Sequence, residues 1–361
     1  MEKLIEKLEK ETTPLISTVE SDNFIKASEK AFDCIFDGTS RFYPWKMPTK
    51  LPKKFKLGII VGSSGSGKST ILKNFGIEET PVWLPTKSVI SHFDNPDDGI
   101  NRLSSVGFNS IPSWYKPYHV LSTGERFRAD LARKIKTGAV IDEFTSVIDR
   151  SVAKSASVAL SRYIKNNDIE GVVLSTCHYD IVDWLEPDWV LNTDTGEFLS
   201  GFFFVRPEIT IKIYRTKHDY WGVFKDHHYL NSSLNKATRC YVAVWDDKVI
   251  GFGATLTMPS GTIKNAWRES RVVILPDHQG MGLGVRFSNA IGQIHIEQGH
   301  RYFSRTSHPR MIYYRENSPL WKPTSKNKVL RNDISDKNTY KNHIYDNKRL
   351  CGSFEYIGTK I

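Results

Sequence analysis

The sequence predicts an α/β domain built around a glycine-rich loop, followed by a smaller α+β domain. Three observations carry this expectation. An apolar run from Lys56 to Val61 reads as a buried strand and opens onto a glycine loop and then a helical pattern. Strand and helix patterns alternate from there to about Phe198, as in α/β proteins. Near Gly201 the character changes. Residues 209–214 alternate like a strand, 240–257 read as a hairpin around Asp246-Asp247-Lys248, and a second strand–glycine–helix unit occupies 266–290.

The chain has 361 residues, which at ~100–200 residues per domain suggests two domains or three. Its 39% hydrophobic content supports real cores and excludes wholesale disorder. No window approaches ~18 uncharged apolar residues, so an ordinary membrane helix is excluded and no membrane partner is expected. The opening MEKLIEKLEKE is charged throughout, unlike a secretory signal. Cys34, Cys177, Cys240 and Cys351 form no CxxC pattern, which fits a reducing cytoplasm. The net charge of +10 is uneven. Residues 1–206 carry 26 Lys/Arg against 27 Asp/Glu, whereas 207–361 carry 24 against 13. The basic half suits a polyanion such as nucleic acid or CoA, or is simply a soluble basic surface.

The expected boundaries are an N-terminal helical arm at 1–40, a first domain at 41–205 and a second at 206–361. Residues 1–35 read as charged helix, with Leu4, Ile5 and Leu8 on one face. Pro44, Pro48 and Pro52 mark irregular chain after it. The Lys/Asn-rich stretch 322–349 is expected to be a mobile loop, and Ser353–Ile357 a last strand.

Gly62-Ser63-Ser64-Gly65-Ser66-Gly67-Lys68-Ser69-Thr70 fits GxxGxGKST in the strand-to-helix context that motif requires. Its glycines let N–H groups turn inward around phosphates. Lys68 supplies a point charge to the β- and γ-phosphates, and the Ser69 hydroxyl reaches Mg²⁺. A second strand, Ala139-Val140-Ile141, ends in Asp142-Glu143. Asp142 is expected to hold the magnesium through water, and Glu143 to polarise the attacking water. Between them lies Leu121-Ser122-Thr123-Gly124-Glu125, a Ser-x-Gly turn before a helix. Ser146-Val147-Ile148-Asp149 and His178, after a Val-Val-Leu-Ser-Thr strand, complete the order.

That order resembles the ATP-binding-cassette (ABC) ATPases over roughly residues 40–200. The resemblance implies bound ATP and Mg²⁺ and an ATP-dependent homodimer. Ser122 and Gly124 would meet the γ-phosphate held by the other subunit, and His178 the γ-phosphate of its own. Tyr43 lies 25 residues before Lys68, where such proteins place an aromatic under adenine, although Phe42 and Trp45 compete for that role. There are departures. Thr123 and Glu125 replace Gly and Gln in the signature, and only about 50 residues separate Thr70 from Leu121. Ser91-His92-Phe93-Asp94 occupies the region where a glutamine is usual. A soluble ATP-driven clamp or switch is therefore expected rather than a transporter subunit.

In the second half, strand Arg271–Leu275 runs into Gln279-Gly280-Met281-Gly282-Leu283-Gly284 and a helix. A dinucleotide site does not fit, because no ribose-binding acid follows at the right spacing. Q-x-x-G-x-G after a strand resembles motif A of the GNAT acyltransferases. With the hairpin before it, strand Tyr302–Thr306 after it and a helix carrying Tyr313 and Tyr314, the resemblance covers about 207–361. It implies that N–H groups of Gln279–Gly284 bind the pyrophosphate of acetyl-CoA or another acyl-CoA. It also implies that Tyr313 or Tyr314 protonates the leaving thiolate. A side chain at Gly282 or Gly284 is expected to block that approach. Ser307 and His308 fall at a strand end. His308 is either a base, since an unperturbed imidazole titrates near neutrality, or a hydrogen-bonded structural histidine. His227-His228 lacks a spaced carboxylate or cysteine and is expected to be solvent-exposed rather than metal-binding. Thr306-Ser307-His308-Pro309 and Arg315–Trp321 also resemble the Mom-like acyltransferases, which modify bases in phage DNA.

Three functions stay open at this point. One is ATP hydrolysis coupled to CoA-dependent acyl transfer onto a nucleic-acid base. Another is a regulatory or repair ATPase whose C-terminal domain only binds nucleic acid. The third is an N-acetyltransferase for protein or small-molecule amines.

Overall fold

Leu57–Val61 is buried along its whole length, which suits a central strand covered on both faces. In the computed structural model, which describes residues 3–201, 203–228, 233–330 and 350–358, it is flanked by two parallel neighbours. The six-stranded sheet runs in the order Leu4–Lys7, Glu197–Ser200, Trp189–Asn192, Leu57–Val61, Val172–Thr176, Val140–Ile141. The last four are mutually parallel, so their carboxyl ends share one edge. Gly62, Asp142, His178 and Asp194 all follow those ends, the edge where open α/β sheets bind ligands. Trp189 anchors the core beneath, its ring stacked on Phe75 at 5.4 Å.

The N-terminal arm departs from the expected helix. Leu4–Lys7 is an edge strand antiparallel to Glu197–Ser200, and Leu15–Thr18 pairs with Thr39–Phe42. Among the described residues of the arm only Asn23–Phe32 is helical, started by Asp22, whose carboxylate accepts the N–H groups of Phe24 and Ile25. Leu4 and Leu8 do face the core. They do so with a strand's period of two, leaving Ile5 exposed.

The chain divides into two compact units, Met1–Val106 with Lys116–Pro207, and Gly107–Tyr115 with Glu208–Ile361. The segment Gly107–Tyr115, expected within the first domain, thus groups with the second unit. That unit's sheet runs Trp321–Pro323, Leu350–Tyr356, Arg301–Thr306, Ala266–Ile274, Lys248–Thr257, Arg239–Trp245, Lys212–Thr216. The hairpin at 240–257 and the C-terminal strand appear as expected, and the strand expected at 209–214 is shifted to Lys212–Thr216. Part of the loop expected at 322–349 is ordered into strands Trp321–Pro323 and Val329–Leu330, both paired with Leu350–Tyr356. Residues 331–349 lie outside the described residues.

One pair in this sheet is parallel. Ala266–Ile274 pairs with Arg301–Thr306 only through Ala266–Arg268 opposite Arg301–Phe303. Beyond Arg268 the two strands part. Helix Leu283–Glu297 connects them and buries Leu283, Phe287 and Ile291. The turn after Ile274 thus leads into that helix at the carboxyl end of Ala266–Ile274, where the parallel pairing has ended.

Candidate active sites

The glycine loop takes the backbone its sequence demands. Gly67 sits at φ +96°, and a Cβ there would lie 2.4 Å from the Phe42 ring, so only glycine fits. Helix Lys68–Leu72 follows directly, with no side chain capping its first N–H groups. Lys68 is buried and its ammonium donates to the Ser63 carbonyl at 2.8 Å. Phe42 is thereby used in packing. Trp45 donates its indole N–H to the Thr193 carbonyl at 2.7 Å. Of the three competing aromatics, Tyr43 is the one that keeps a substantially open ring, 44% exposed.

Asp142 and Glu143 stand beside this loop. The Asp142 carboxylate accepts hydrogen bonds from the Ser175 and Ser69 hydroxyls and from the Glu143 N–H. Burial pushes this carboxyl up, but those bonds and the charge of Lys68 outweigh it and hold the group below its usual range. The joined Ser69–Asp142 pair is the hard-oxygen donor set that Mg²⁺ prefers. Glu143 is exposed and held at φ +48°, a costly conformation outside glycine. Its N–H is fixed by Asp142 at 2.9 Å and Ser175 at 3.2 Å, and Phe144 bonds the Ser175 carbonyl. His178 joins the same turn, with Nδ1 3.0 Å from the Thr145 hydroxyl. Burial and Arg150, opposed by Asp180, lower its pKa, so the ring is neutral at pH 7.

Ser122 begins helix Thr123–Lys134 as a reciprocal cap. Its N–H donates to the Glu125 carboxylate at 3.0 Å and its hydroxyl accepts the Glu125 N–H at 3.3 Å. Glu125, a departure from the signature, therefore has a structural reason. Ser122 is exposed, and a Cβ on Gly124 would touch only Val152 at an ordinary 3.6 Å. No motif pointed to Asp194. Its carboxylate accepts the Ser63 N–H at 2.9 Å and the Ser63 hydroxyl at 2.7 Å, at the base of the glycine loop.

In the second unit, the turn after Ile274 is braced by Gln279. Its amide donates to the Ile274 carbonyl at 2.7 Å and its oxygen accepts the Asn109 N–H at 3.1 Å. Gly280 and Gly282 have φ of +89° and +77°. Met281 and Leu283 bury their side chains, so any contribution they make to a ligand is through the backbone. Gly282 precedes the first helical residue, and no side chain caps the helix. The N–H groups of this first turn are thus free of capping side chains, an arrangement suited to a pyrophosphate. A Cβ on Gly284 would meet Ile274 Cγ1 at an ordinary 3.7 Å within the protein.

Residues 206–310 match the acetyltransferase (GNAT) family. Among solved structures, similarity extends to a Bacillus subtilis acetyltransferase in complex with CoA, 12% identical over 41% of this chain and 98% of that one, TM-score 0.29. The ribosomal-protein-S18-alanine N-acetyltransferase of Escherichia coli is 11% identical over 42% and 97%, TM-score 0.31. A dimeric ATP-binding cassette bound to ADP and phosphate is 14% identical over 52% and 94%, TM-score 0.34. No curated protein sequence matches the chain.

Within the GNAT-like unit the structure separates the two tyrosines. Tyr313 is 72% exposed. The Tyr314 hydroxyl accepts from Asn289 Nδ2 at 2.6 Å, and Asn289 Oδ1 accepts the Trp321 indole N–H at 2.8 Å. Tyr314 is therefore the fixed member and keeps its own O–H to donate. The next residue, Arg315, is fully buried and bonds both Glu269 oxygens at 3.0 and 3.2 Å, as well as Ser288 and Ser304. Its guanidinium also lies 4.3 Å from the Trp321 ring centre. This cluster spans the parting strands, because Glu269 lies on one and Ser304 on the other. Burial pushes the Glu269 carboxyl up, but Arg315 and the two serines prevail and lower it. A carboxylate so paired is a clamp rather than a base. His308 starts helix Pro309–Asn317, and burial with Arg310 pushes its imidazole down to about 4. The premise of an unperturbed imidazole near neutrality does not hold there.

The His227-His228 expectation is corrected as well. His228 is buried, its ring edge-on to Trp221 at 5.8 Å, and burial with Arg271 lowers it to about 4. Among the described residues, no group of three or more His, Cys, Asp or Glu is placed to hold a metal ion. No helix among them is long and apolar enough to cross a membrane.

Proposed function

We propose that the first unit hydrolyses ATP and that the second transfers an acyl group from acyl-CoA to an amine on a nucleic-acid base. The observation that carries the acyl-transfer reading is the early end of the parallel pairing between Ala266–Ile274 and Arg301–Thr306. The Gly280–Gly282 turn follows the first of these strands, and Tyr314 is fixed on the helix that Arg315 ties to both. The helix start holds the pyrophosphate, and the acceptor amine attacks the thioester carbonyl. The C–S bond breaks, Tyr314 gives its proton to the thiolate, and the proton shed by the acceptor nitrogen passes through water to restore the Tyr314 hydroxyl. The acceptor assignment rests on the excess of 24 Lys/Arg over 13 Asp/Glu in 207–361 and on the Mom-like segments.

In the ATPase, Lys68 meets the β- and γ-phosphates, Tyr43 stacks on adenine, and Glu143 orients the attacking water. Mg²⁺ held by Ser69 and Asp142 would neutralise phosphate charge. Ser122 has no part in its own subunit's glycine loop, so we infer that two chains close on ATP as a homodimer. Closure exposes the base, because an amine inside a duplex is out of reach without extrusion.

The test is incubation of the full chain with labelled acetyl-CoA, ATP, Mg²⁺ and duplex DNA or structured RNA, followed by mass spectrometry of the nucleosides. An acylated nucleoside is expected. Label found only on protein or small amines would overturn the acceptor assignment and leave the acyltransferase reading standing.

A further inference from the structure

The turn that joins Trp189–Asn192 to Glu197–Ser200 does more than close a hairpin. Besides its bonds to Ser63, the Asp194 carboxylate accepts the Tyr179 hydroxyl at 2.6 Å. Tyr179 directly follows His178 in the chain. Thr193 adds a second tie, its hydroxyl 2.6 Å from that of Ser66 and donating to the Val61 carbonyl at 3.1 Å. One turn thus grips the glycine loop and the segment that carries His178. The bonds to Asp194 are charge-assisted, the stronger kind. Bonds from Ser63 and Tyr179 hold the Asp194 carboxyl below its usual range, while burial and Asp194 push the Tyr179 hydroxyl up to about 12. Neither group changes protonation near neutral pH.

We propose that Asp194 and Tyr179 are positioning residues for ATP hydrolysis, forming a strut that fixes His178 relative to the phosphate loop. This rests on the ATPase reading above. Without the strut, the tethers on His178 are its N–H bond to Thr176 Oγ1 at 3.1 Å and the contact of Nδ1 with Thr145. Small displacements of a positioned group cost rate far more than affinity. Tyr179→Phe breaks only the His178 side of the strut and leaves the Asp194 bonds to Ser63 in place, so it acts on turnover and spares the loop's hold on phosphate, whereas loss of the Asp194 carboxylate also releases Ser63, whose carbonyl accepts the Lys68 ammonium.

The experiment is steady-state ATP hydrolysis by the full chain, with equilibrium binding of radiolabelled ATP and Mg²⁺ measured in parallel. Tyr179→Phe should lower kcat about tenfold and weaken ATP binding by no more than about twofold, whereas Asp194→Ala should lower kcat at least as far and also weaken ATP binding, because it releases Ser63. Asp194→Asn, still an acceptor, should recover most of the lost rate. In a His178→Ala background, adding Tyr179→Phe should lower kcat no further, because the strut has nothing left to position. Wild-type kcat in both single variants would overturn the strut. So would the same tenfold loss on top of His178→Ala, or, in Tyr179→Phe, ATP affinity falling in step with kcat. A wild-type chain that binds no ATP overturns the ATPase reading itself, an outcome distinct from unchanged variants of an active chain.

Discussion

Arg315→Leu removes the counter-charge of a carboxylate that is largely buried, with only 10% of its side chain exposed. Glu269 would keep the Ser288 and Ser304 hydroxyls at 2.5 and 2.7 Å but lose both guanidinium bonds. Breaking one side of a buried pair costs about 3–5 kcal/mol, and the lost stacking on Trp321 adds about 0.5–2 kcal/mol. For a unit of this size the pair term alone corresponds to roughly 6–20 °C in Tm. The pH dependence gives a sharper signature. In the wild type the folded pKa of Glu269 is depressed. The contribution of the pair is therefore full above the unfolded value of about 4.3 and is lost as pH falls through the folded value. In Arg315→Leu burial prevails and the folded pKa rises above the unfolded one. That penalty is full at neutral and alkaline pH and relaxes on acidification. Urea denaturation followed by tryptophan fluorescence at pH 8, 6 and 4.5 reads both effects. Glu269→Gln combined with Arg315→Leu should recover part of the loss by removing the stranded charge. A loss under about 1 kcal/mol at pH 8, or a pH slope equal to that of the wild type, would refute the clamp.

Three further outcomes are expected. Glu143→Gln should bind ATP as tightly as the wild type but lower hydrolysis at least about a hundredfold, as single-turnover assays will show. Glu143→Gln with ATP should elute as a dimer in size-exclusion chromatography, and adding Ser122→Arg should return it to monomer. Gly282→Ala, at φ +77°, should cost about 1–2 kcal/mol and lose most CoA affinity by calorimetry, and Gly284→Asp should lose CoA binding as well while leaving ATP hydrolysis nearly intact.

What the sequence showed and what it hid follow from distance along the chain. The glycine loop, the Asp142-Glu143 pair and the Gln279–Gly284 turn were legible because each is a short run whose spacing is its chemistry. The roles of Asp194 and Glu269 were not, because their partners lie far away: Ser63 is 131 positions from Asp194, and Arg315 is 46 from Glu269. Leu4–Lys7 misled for the same reason. Its helix-like charge pattern gives way to pairing with Glu197–Ser200, a tertiary contact that propensity does not encode. His228 and His308 show a third limit. Composition places an imidazole in the chain but says nothing of its burial, and burial is the first cause that lowers both. The choice between Tyr313 and Tyr314 needed the Asn289 bond, which motif spacing leaves undetermined.

Joint action of the two units is the central claim, and Lys68→Ala tests it most directly. Acyl transfer from radiolabelled acetyl-CoA is measured with ATP present, on a duplex and on a short single strand, for wild type and Lys68→Ala. Loss of the loop charge should abolish ATP use and leave CoA binding at Gln279–Gly284 unchanged. The account predicts that Lys68→Ala still binds CoA, fails to modify the duplex, and retains part of its activity on the single strand, where no extrusion is needed. Modification of both substrates by Lys68→Ala at the wild-type rate would contradict it.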